Sequence, residues 1–261
     1  APGDVIGVCL PNGAGLFAVL LGIWKAQRTV ALFDPLSPRN RLAALAADSP
    51  ARWIYISEAT DFVGEPCATD VILKSDSWEI GKSQPETATA VSFPGMAAIF
   101  YTSGSSGAPK GVIATHTNLL HQTMLFTKSY RLCSADRFAL LSAGSSSAVT
   151  SALMALLNGA TVLPFDVRTS GTNQLARWLV DRKVSICMLG APLFRSLAHT
   201  LNGDETFPDL RLIRLRSDTV NVQDLELFKK LFPKHCILVN GLSSTETGLM
   251  TLCFFDHEST I

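Results

Sequence analysis

The sequence has no excess of either charge. Lys plus Arg number 22 and Asp plus Glu also number 22, so the formal net charge is zero. That balance leaves no electrostatic footprint for nucleic acid or an anionic membrane surface, although a local basic patch is compatible with it. A long apolar run is also missing: the longest, Leu16 to Trp24, is far too short to span a bilayer. The chain opens on Ala-Pro-Gly-Asp, without Met and without a basic segment leading into an apolar one. No signal peptide is seen, and a fragment or processed chain is expected. The six cysteines are scattered and none forms a CxxC pair, which argues against a zinc ribbon or a dithiol redox site. Each lies in or near an apolar run, so reduced, buried thiols and a cytoplasmic location are expected. Charged residues are only 17% against 47% hydrophobic, a globular composition rather than a disordered or fibrous one. At 261 residues the chain is long enough to bury most of its apolar surface.

What is present is alternation. Strand-length apolar runs at Val5 to Leu10, Val30 to Phe33, Trp53 to Ile56, Ala97 to Tyr101, Val112 to Ala114, Phe138 to Leu141, Thr161 to Pro164, Ser185 to Leu189, Leu210 to Leu215, Cys236 to Val239 and Leu249 to Phe254 are interleaved with helical patterns. Asn12 is placed to cap the first helix, and Ser37-Pro38 to start the second. Later helical patterns fall at Asn118 to Lys128, Ala148 to Leu157, Asn173 to Val180, Pro192 to Leu201 and Gln223 to Leu231. Residues 58–94 are polar and read as a loop-rich surface connection with one short strand candidate at Val71 to Leu73. Strand–helix repetition of this kind predicts mostly parallel sheet flanked by helices, an α/β fold, with ligands bound beyond the carboxyl ends of the strands.

One post-strand loop stands out, Tyr101-Thr102-Ser103-Gly104-Ser105-Ser106-Gly107-Ala108-Pro109-Lys110-Gly111. Its glycines allow close backbone approach, its amides and hydroxyls can donate to phosphate oxygens, and Lys110 supplies a point charge. Composition fits a polyphosphate loop; it also fits a flexible Gly/Ser turn. It is not a Walker A loop, because Lys110 stands between Pro109 and Gly111.

The order of residues goes further. Thr102 to Gly111 closely resembles the phosphate-loop signature of the adenylate-forming (AMP-binding) superfamily, which includes acyl-CoA synthetases, luciferases and nonribosomal peptide synthetase adenylation domains. Downstream, Val239-Asn240-Gly241-Leu242-Ser243-Ser244-Thr245-Glu246-Thr247-Gly248 resembles the superfamily's later motif. Upstream, Gly22-Ile23-Trp24-Lys25-Ala26 and Phe33-Asp34-Pro35-Leu36-Ser37-Pro38-Arg39-Asn40-Arg41-Leu42 resemble the stretch before the phosphate loop. The resemblance is closest to peptide-synthetase-like adenylation domains and implies stacked, mostly parallel sheets of the large-lobe type. Residues 1–261 would form one partial N-terminal lobe, a single structural unit without the small C-terminal domain.

The resemblance also implies the chemistry. Such enzymes use ATP and Mg²⁺ to convert a carboxylic acid to an acyl-adenylate, releasing pyrophosphate, before transfer to a phosphopantetheine carrier-protein thiol or to CoA. Thr102, Ser103, Gly104, Ser105, Ser106 and Gly107 would wrap the β- and γ-phosphates beside Lys110. Thr245 would meet the α-phosphate and Glu246 would hold the metal. Lys110, Thr245 and Glu246 are the residues assigned to catalysis. Asn240, Gly241 and Leu242 would lie against adenine, with Asp218 also on the nucleotide. Leu242 stands where the superfamily often has an aromatic residue, and Leu215-Arg216-Ser217-Asp218 replaces a Gly-Gly-acidic segment. Arg216 would lie near the nucleotide.

Ser146, Ser147, Thr150, Gly190, Leu249 and Met250 would line the acid pocket. Ser146 stands where amino-acid-activating members carry an Asp that pairs with the substrate ammonium. An ordinary α-amino acid is therefore disfavoured. The small or apolar positions suggest an uncharged tail. No nucleic-acid or membrane partner is implied, and a fragment of this length would be impaired alone. A non-catalytic nucleotide-binding or interaction module of the same fold is the alternative.

The remaining clusters read as structural. His116 and His121 lack the HExxH pattern, and Gly144-Ser145-Ser146-Ser147-Ala148 lacks the frame of a nucleophile elbow. Lys229, Lys230, Arg211, Arg214 and Arg216 read as a solvated basic face.

Overall fold

The computed structural model describes residues 4–51, 53–56, 71–74, 95–103, 109–141, 145–203, 205–216 and 218–260, with 71–74 and 103 described by backbone alone. The chain falls into two compact units, residues 1–120 with 143–146, and residues 121–142 with 147–261. Both units hold a mostly parallel sheet flanked by helices, as the alternation predicts.

The first unit is built on β1 (Val5–Cys9), β2 (Thr29–Leu32), β3 (Trp53–Ile56), β4 (Val71–Lys74), β5 (Met96–Ser103) and β6 (Pro109–Thr115), in the order β4-β3-β1-β2-β5-β6. Every pairing is parallel except the last, where β6 folds back on β5. β1 and β2 are buried along their whole length, which is why they read as unbroken apolar runs rather than alternating ones. Helices α1 (Ala14–Lys25) and α2 (Arg39–Asp48) follow β1 and β2. Leu42, Leu45 and Ala46 of α2 join Phe33 and Ile54 in one core. Two long-range hydrogen bonds tie the unit to β5: Trp24 Nε1 donates to the Ala97 carbonyl (2.8 Å) and Thr29 Oγ1 to that of Met96 (2.9 Å).

Neither helix start follows the expected capping chemistry. The N-cap of α1 is Gly13 rather than Asn12, and no side chain caps it. The N-cap of α2 is Pro38, not Ser37, and no side chain caps it; the Ser37 amide donates to the Asp34 carbonyl (3.0 Å). The Asp34 side chain accepts from the Leu36 amide, so an Asx turn delivers the chain into α2. Of residues 58–94, β4 is described, parallel to β3; the rest of that expected connection lies outside the described residues.

The second unit is built on β7 (Arg137–Leu140), β8 (Thr161–Pro164), β9 (Ile186–Gly190), β10 (Leu212–Arg216), β11 (Ile237–Ser244) and β12 (Gly248–Phe255), in the order β12-β11-β10-β9-β7-β8. Again only the final pairing, β11 with β12, is antiparallel. Helices α3 (His116–Tyr130), α4 (Ser146–Leu156), α5 (Val167–Ser170), α6 (Thr172–Asp181), α7 (Ala191–Thr200) and α8 (Val222–Leu231) complete the chain. One face of the sheet packs Ile213 and Leu215 against Leu175 of α6, Phe194 of α7 and Phe228 of α8. The opposite face packs Leu212 and Val239 against Phe126 and Tyr130 of α3 and Met154 of α4.

α8 carries a complete capping box, Asn221 with Asp224. Asp224 also receives the Arg195 guanidinium in a two-pronged pair of 2.7 and 2.8 Å, which fastens α7 to α8. α5 has only four residues, too short for a periodic pattern, and holds by Asp166 accepting from the Arg168 amide.

Candidate functional site

Both motifs sit in a hairpin, one in each unit, at the point where the last parallel strand turns back into the antiparallel edge. In the first unit, β5 and β6 pair Thr102 with Lys110 and Ser103 with Pro109. Directly opposed residues share a face, so the Thr102 hydroxyl and the exposed Lys110 ammonium leave the hairpin on the same side at the root of the loop. The loop itself, with Gly104, Ser105, Ser106 and Gly107, lies outside the described residues, as does the Ser103 side chain.

In the second unit, β11 runs beyond the expected Val239 to Ser244, and Thr245, Glu246 and Thr247 form its turn. The Ser244 hydroxyl accepts from the Thr247 amide (3.1 Å) and lies 3.0 Å from the Thr247 hydroxyl. This Ser turn fixes the tip. Thr245 is partly buried, while Glu246 is exposed. Asn240 pairs with Leu215 of β10 and Cys253 of β12. A register shift between Leu242 and Ser243 re-aims the strand, and Leu242 is left 59% exposed, an unusual amount for a leucine in a strand. Asp218 is exposed just after β10 and accepts from the Thr219 amide (2.7 Å).

Among the pocket candidates, Ser146, Ser147 and Thr150 fall in the first turns of α4, which begins two residues earlier than its pattern predicts. Gly190 ends β9 opposite Arg216 of β10. Leu249 and Met250 open β12, Leu249 packed against the apolar face shared with Phe126 and Tyr130, and Met250 52% exposed.

Three residues near these positions carry no motif signal. Gln122 of α3 accepts from the Leu249 amide through Oε1 (3.1 Å) and stands against Gly248, whose φ of +71° favours glycine. Arg214 of β10 is only 3% exposed. Its guanidinium lies over the Phe126 ring, 4.8 Å from the centroid, and Nη2 donates to the Ser243 hydroxyl (3.3 Å). It fills the space beside Gly241, where an added Cβ would come within 2.8 Å of Nε. The guanidinium also stands against the hydroxyl of buried Tyr130, while Arg214 Nε has no hydrogen-bond partner among the described residues. An unsatisfied buried donor costs about 1–3 kcal/mol. Burial, offset in part by the Arg214 charge, pushes the Tyr130 hydroxyl up to about 12. Burial, reinforced by Arg214, pulls Arg216 down to about 10.

The reading of Arg211, Arg214 and Arg216 as a solvated face is thereby overturned. Arg211 is a clamp: Nε and Nη2 grip Asp136 at 2.8 and 2.7 Å, and Nη1 donates to the Tyr130 carbonyl. Burial would raise the Asp136 carboxyl, but the Arg211 fork, the Cys133 amide and the Ser185 hydroxyl outweigh it and hold the group below the usual carboxylate range. The thiol expectation holds for Cys9, Cys187 and Cys236, which burial pushes up to about 12, and fails for Cys133 and Cys253, which are exposed. Cys67 lies outside the described residues. His116, the first residue of α3, packs edge-on against Trp24 (5.7 Å), and burial lowers its pKa.

Among the described residues, no three His, Cys, Asp or Glu side chains cluster as a metal cage. Glu246 offers a single exposed carboxylate, a donor that suits Mg²⁺ sharing its shell with water and phosphate oxygens rather than a site built wholly of protein ligands. No helix among the described residues is long and apolar enough to cross a membrane.

Comparison with known proteins gives this arrangement a family. The AMP-binding enzyme family model matches residues 1–260, and the chain belongs to that family. It is 27% identical over 258 residues to the polyketide synthase-nonribosomal peptide synthetase ACE1 of Pyricularia oryzae, covering 94% of this chain and 6% of that protein. It is 25% identical over 251 residues to surfactin synthase subunit 2 of Bacillus subtilis, covering 94% of this chain and 7% of that protein. Among solved structures, the nonribosomal peptide synthetase FmoA3 superposes with a TM-score of 0.85 at 23% identity, over 99% of this chain and 28% of that one. The N-terminal subdomain of Klebsiella oxytoca NpsA, in complex with 3-hydroxybenzoyl-AMSN, superposes with a TM-score of 0.84 at 20% identity, over 97% of this chain and 63% of that one. The two structures share the fold. The chain spans only 6% and 7% of the lengths of ACE1 and the surfactin synthase subunit.

Proposed function

We propose that this chain is the large-lobe part of an enzyme that activates a carboxylic acid with ATP. The acid carboxylate attacks the α-phosphorus, the bond to the pyrophosphate oxygen breaks, and an acyl-adenylate and pyrophosphate result. The acyl group then passes to a thiol, on a phosphopantetheine carrier protein or on CoA, as the acyl–phosphate bond breaks and AMP leaves. The observation that carries this reading is the pair of family motifs on the two hairpins, within a chain that the AMP-binding enzyme model matches over residues 1–260.

Thr102 to Gly107 and Lys110 bind the β- and γ-phosphates, and charge neutralisation there lowers the cost of building negative charge at the reacting phosphorus. Glu246 holds Mg²⁺ and Thr245 contacts the α-phosphate. Leu242 packs on the adenine, which accounts for its exposure, with Asn240 and Gly241 at the base edge and Asp218 also on the nucleotide. Ser146, Ser147, Thr150, Gly190, Leu249 and Met250 line the acid pocket. The likeness to a nonribosomal peptide synthetase favours a carrier-protein acceptor, and action in the cytoplasm belongs to the same reading.

Acid-dependent ATP–pyrophosphate exchange on the full-length protein tests the reading. Exchange with one class of carboxylic acid is expected; no exchange with any acid across a broad panel overturns it.

A further inference from the structure

Asp218 lies in the segment between β10 and α8, and part of that segment's anchorage comes from another helix. Arg195 of α7 grips both carboxylate oxygens of Asp224, Nε to Oδ1 at 2.7 Å and Nη2 to Oδ2 at 2.8 Å. Nη2 also donates to the Thr219 carbonyl at 2.8 Å. The two bonds to Asp224 fasten α7 to α8. The third reaches past the N-cap of α8 into the segment itself. Thr219 links it to Asp218, because the Thr219 amide donates to Asp218 Oδ1 at 2.7 Å while the Thr219 carbonyl is held by Arg195. The next two residues are anchored as well. Val220 packs on the core that holds Leu225 and Phe228, and the Asn221 amide donates to Asp224 Oδ2 at 2.9 Å. What this tied segment presents to solvent is the exposed Asp218 carboxylate.

The charges point the same way. The Asp224 hydrogen bonds outweigh desolvation and, with a smaller contribution from the Asp218 charge, hold the Arg195 guanidinium above its ordinary pKa, so Asp218 stands within electrostatic reach of Arg195. A planar guanidinium can span both oxygens of a carboxylate and still offer an N–H to a carbonyl, a fixed geometry that a lysine ammonium does not have. A ligand that meets a loose segment must order it, and that lost freedom is subtracted from affinity. A segment tied down beforehand avoids the loss.

We propose that Arg195 is a positioning residue for the nucleotide: through the Thr219 carbonyl it holds Asp218 in the orientation in which Asp218 meets ATP. Arg195 itself touches neither substrate, and it acts on ATP affinity rather than on the chemical step. The inference rests on the adenylation reading and on the place of Asp218 in it.

The test is ATP–pyrophosphate exchange on the full-length protein, Arg195→Lys, Asp218→Ala and the double variant. Arg195→Lys keeps a positive charge beside Asp224 and gives up the fork. It is expected to raise KM for ATP about fivefold with kcat within about twofold, the scale of one lost hydrogen bond. Asp218→Ala is expected to raise the same KM about tenfold. In the Asp218→Ala background, Arg195→Lys is expected to add less than about twofold, because the residue it acts through is gone. Urea unfolding supplies the contrast: the stability lost through Arg195→Lys is expected to be nearly the same in both backgrounds. An unchanged KM in Arg195→Lys, or an equal rise with and without Asp218, overturns the proposal. If Arg195→Lys does not fold, Arg195→Gln combined with Asp224→Asn, which leaves no buried charge unpaired, takes its place in the cycle with the same outcomes.

Absence of exchange with any acid ends the adenylation reading separately. Arg195 is then judged by calorimetric titration of the same four proteins with Mg-ATP. An affinity loss from Arg195→Lys that vanishes in the Asp218→Ala background sustains the proposal; any other pattern, including no binding to the unmodified protein, overturns it.

Discussion

The amide of Gln122 occupies the volume in which any side chain at Gly248 would stand, and its Oε1 accepts the amide hydrogen of the next residue, Leu249, at 3.1 Å. One α3 side chain thus fixes the start of β12 and, through it, the Thr245–Thr247 turn. Gly248→Ala is expected to destabilise the protein by at least about 2 kcal/mol, combining left-handed backbone strain with the collision. Gln122→Ala relieves only the collision, so the double variant is expected to be less destabilised than the sum of the two by about 1 kcal/mol. Urea unfolding of the four proteins measures this; strict additivity shows that the two residues do not compete for space.

Arg211 and Asp136 join the start of β10 to the start of β7 in one partly buried pair. Asp136→Asn leaves Arg211, a third of it solvated, without its charge partner and is expected to cost about 1–2 kcal/mol. The folded Asp136 carboxyl titrates below its unfolded value, so its contribution is fully present above that unfolded value, about 4, and is lost as pH falls through the depressed folded one. Stability measured from pH 6 down to pH 2 is therefore expected to fall less steeply in Asp136→Asn than in the unmodified protein. Equal slopes contradict the assignment.

Lys110 and Glu246 are exposed, so removing either leaves the cores intact. Lys110→Ala and Glu246→Ala are each expected to weaken Mg-ATP binding roughly tenfold or more by calorimetry, with thermal midpoints within about 2 °C of the unmodified protein. Unchanged affinity in both displaces the phosphate site from these hairpins.

The exposed thiols of Cys133 and Cys253 are expected to be alkylated by iodoacetamide at pH 8 in the native protein, as read by peptide mass spectrometry. Cys9, Cys187 and Cys236 are expected to stay unmodified until it unfolds, since burial removes both access and thiolate. Labelling of Cys187 in the native state shows that the second unit opens.

Ser146→Asp adds a negative charge to the proposed acid pocket. It is expected to lower exchange with the preferred acid by about tenfold or more through KM. Unchanged exchange removes Ser146 from the pocket.

The sequence by itself determined the local and ordered features. Buried parallel strands announced themselves as unbroken apolar runs, as in Val5 to Cys9 and Ile186 to Leu189, because neither face meets water. The motif residues Thr102 to Gly111 and Asn240 to Glu246 were legible because their chemistry depends on residue order along a short stretch.

Tertiary structure decided what depends on a distant partner. Leu212-Ile213-Arg214-Leu215-Arg216 has the alternation of a strand with one wet face, yet α3 packs on that face and turns Arg214, an apparent surface cation, into a buried one. Arg211 reads as one more such cation until Asp136, 75 residues away, closes on it. Gln122 and Gly248 are unremarkable in sequence and matter only through contact. The physical reason is the same in each case: periodicity records which side of an element is polar, while desolvation, charge pairing and steric exclusion depend on what the fold sets against that side.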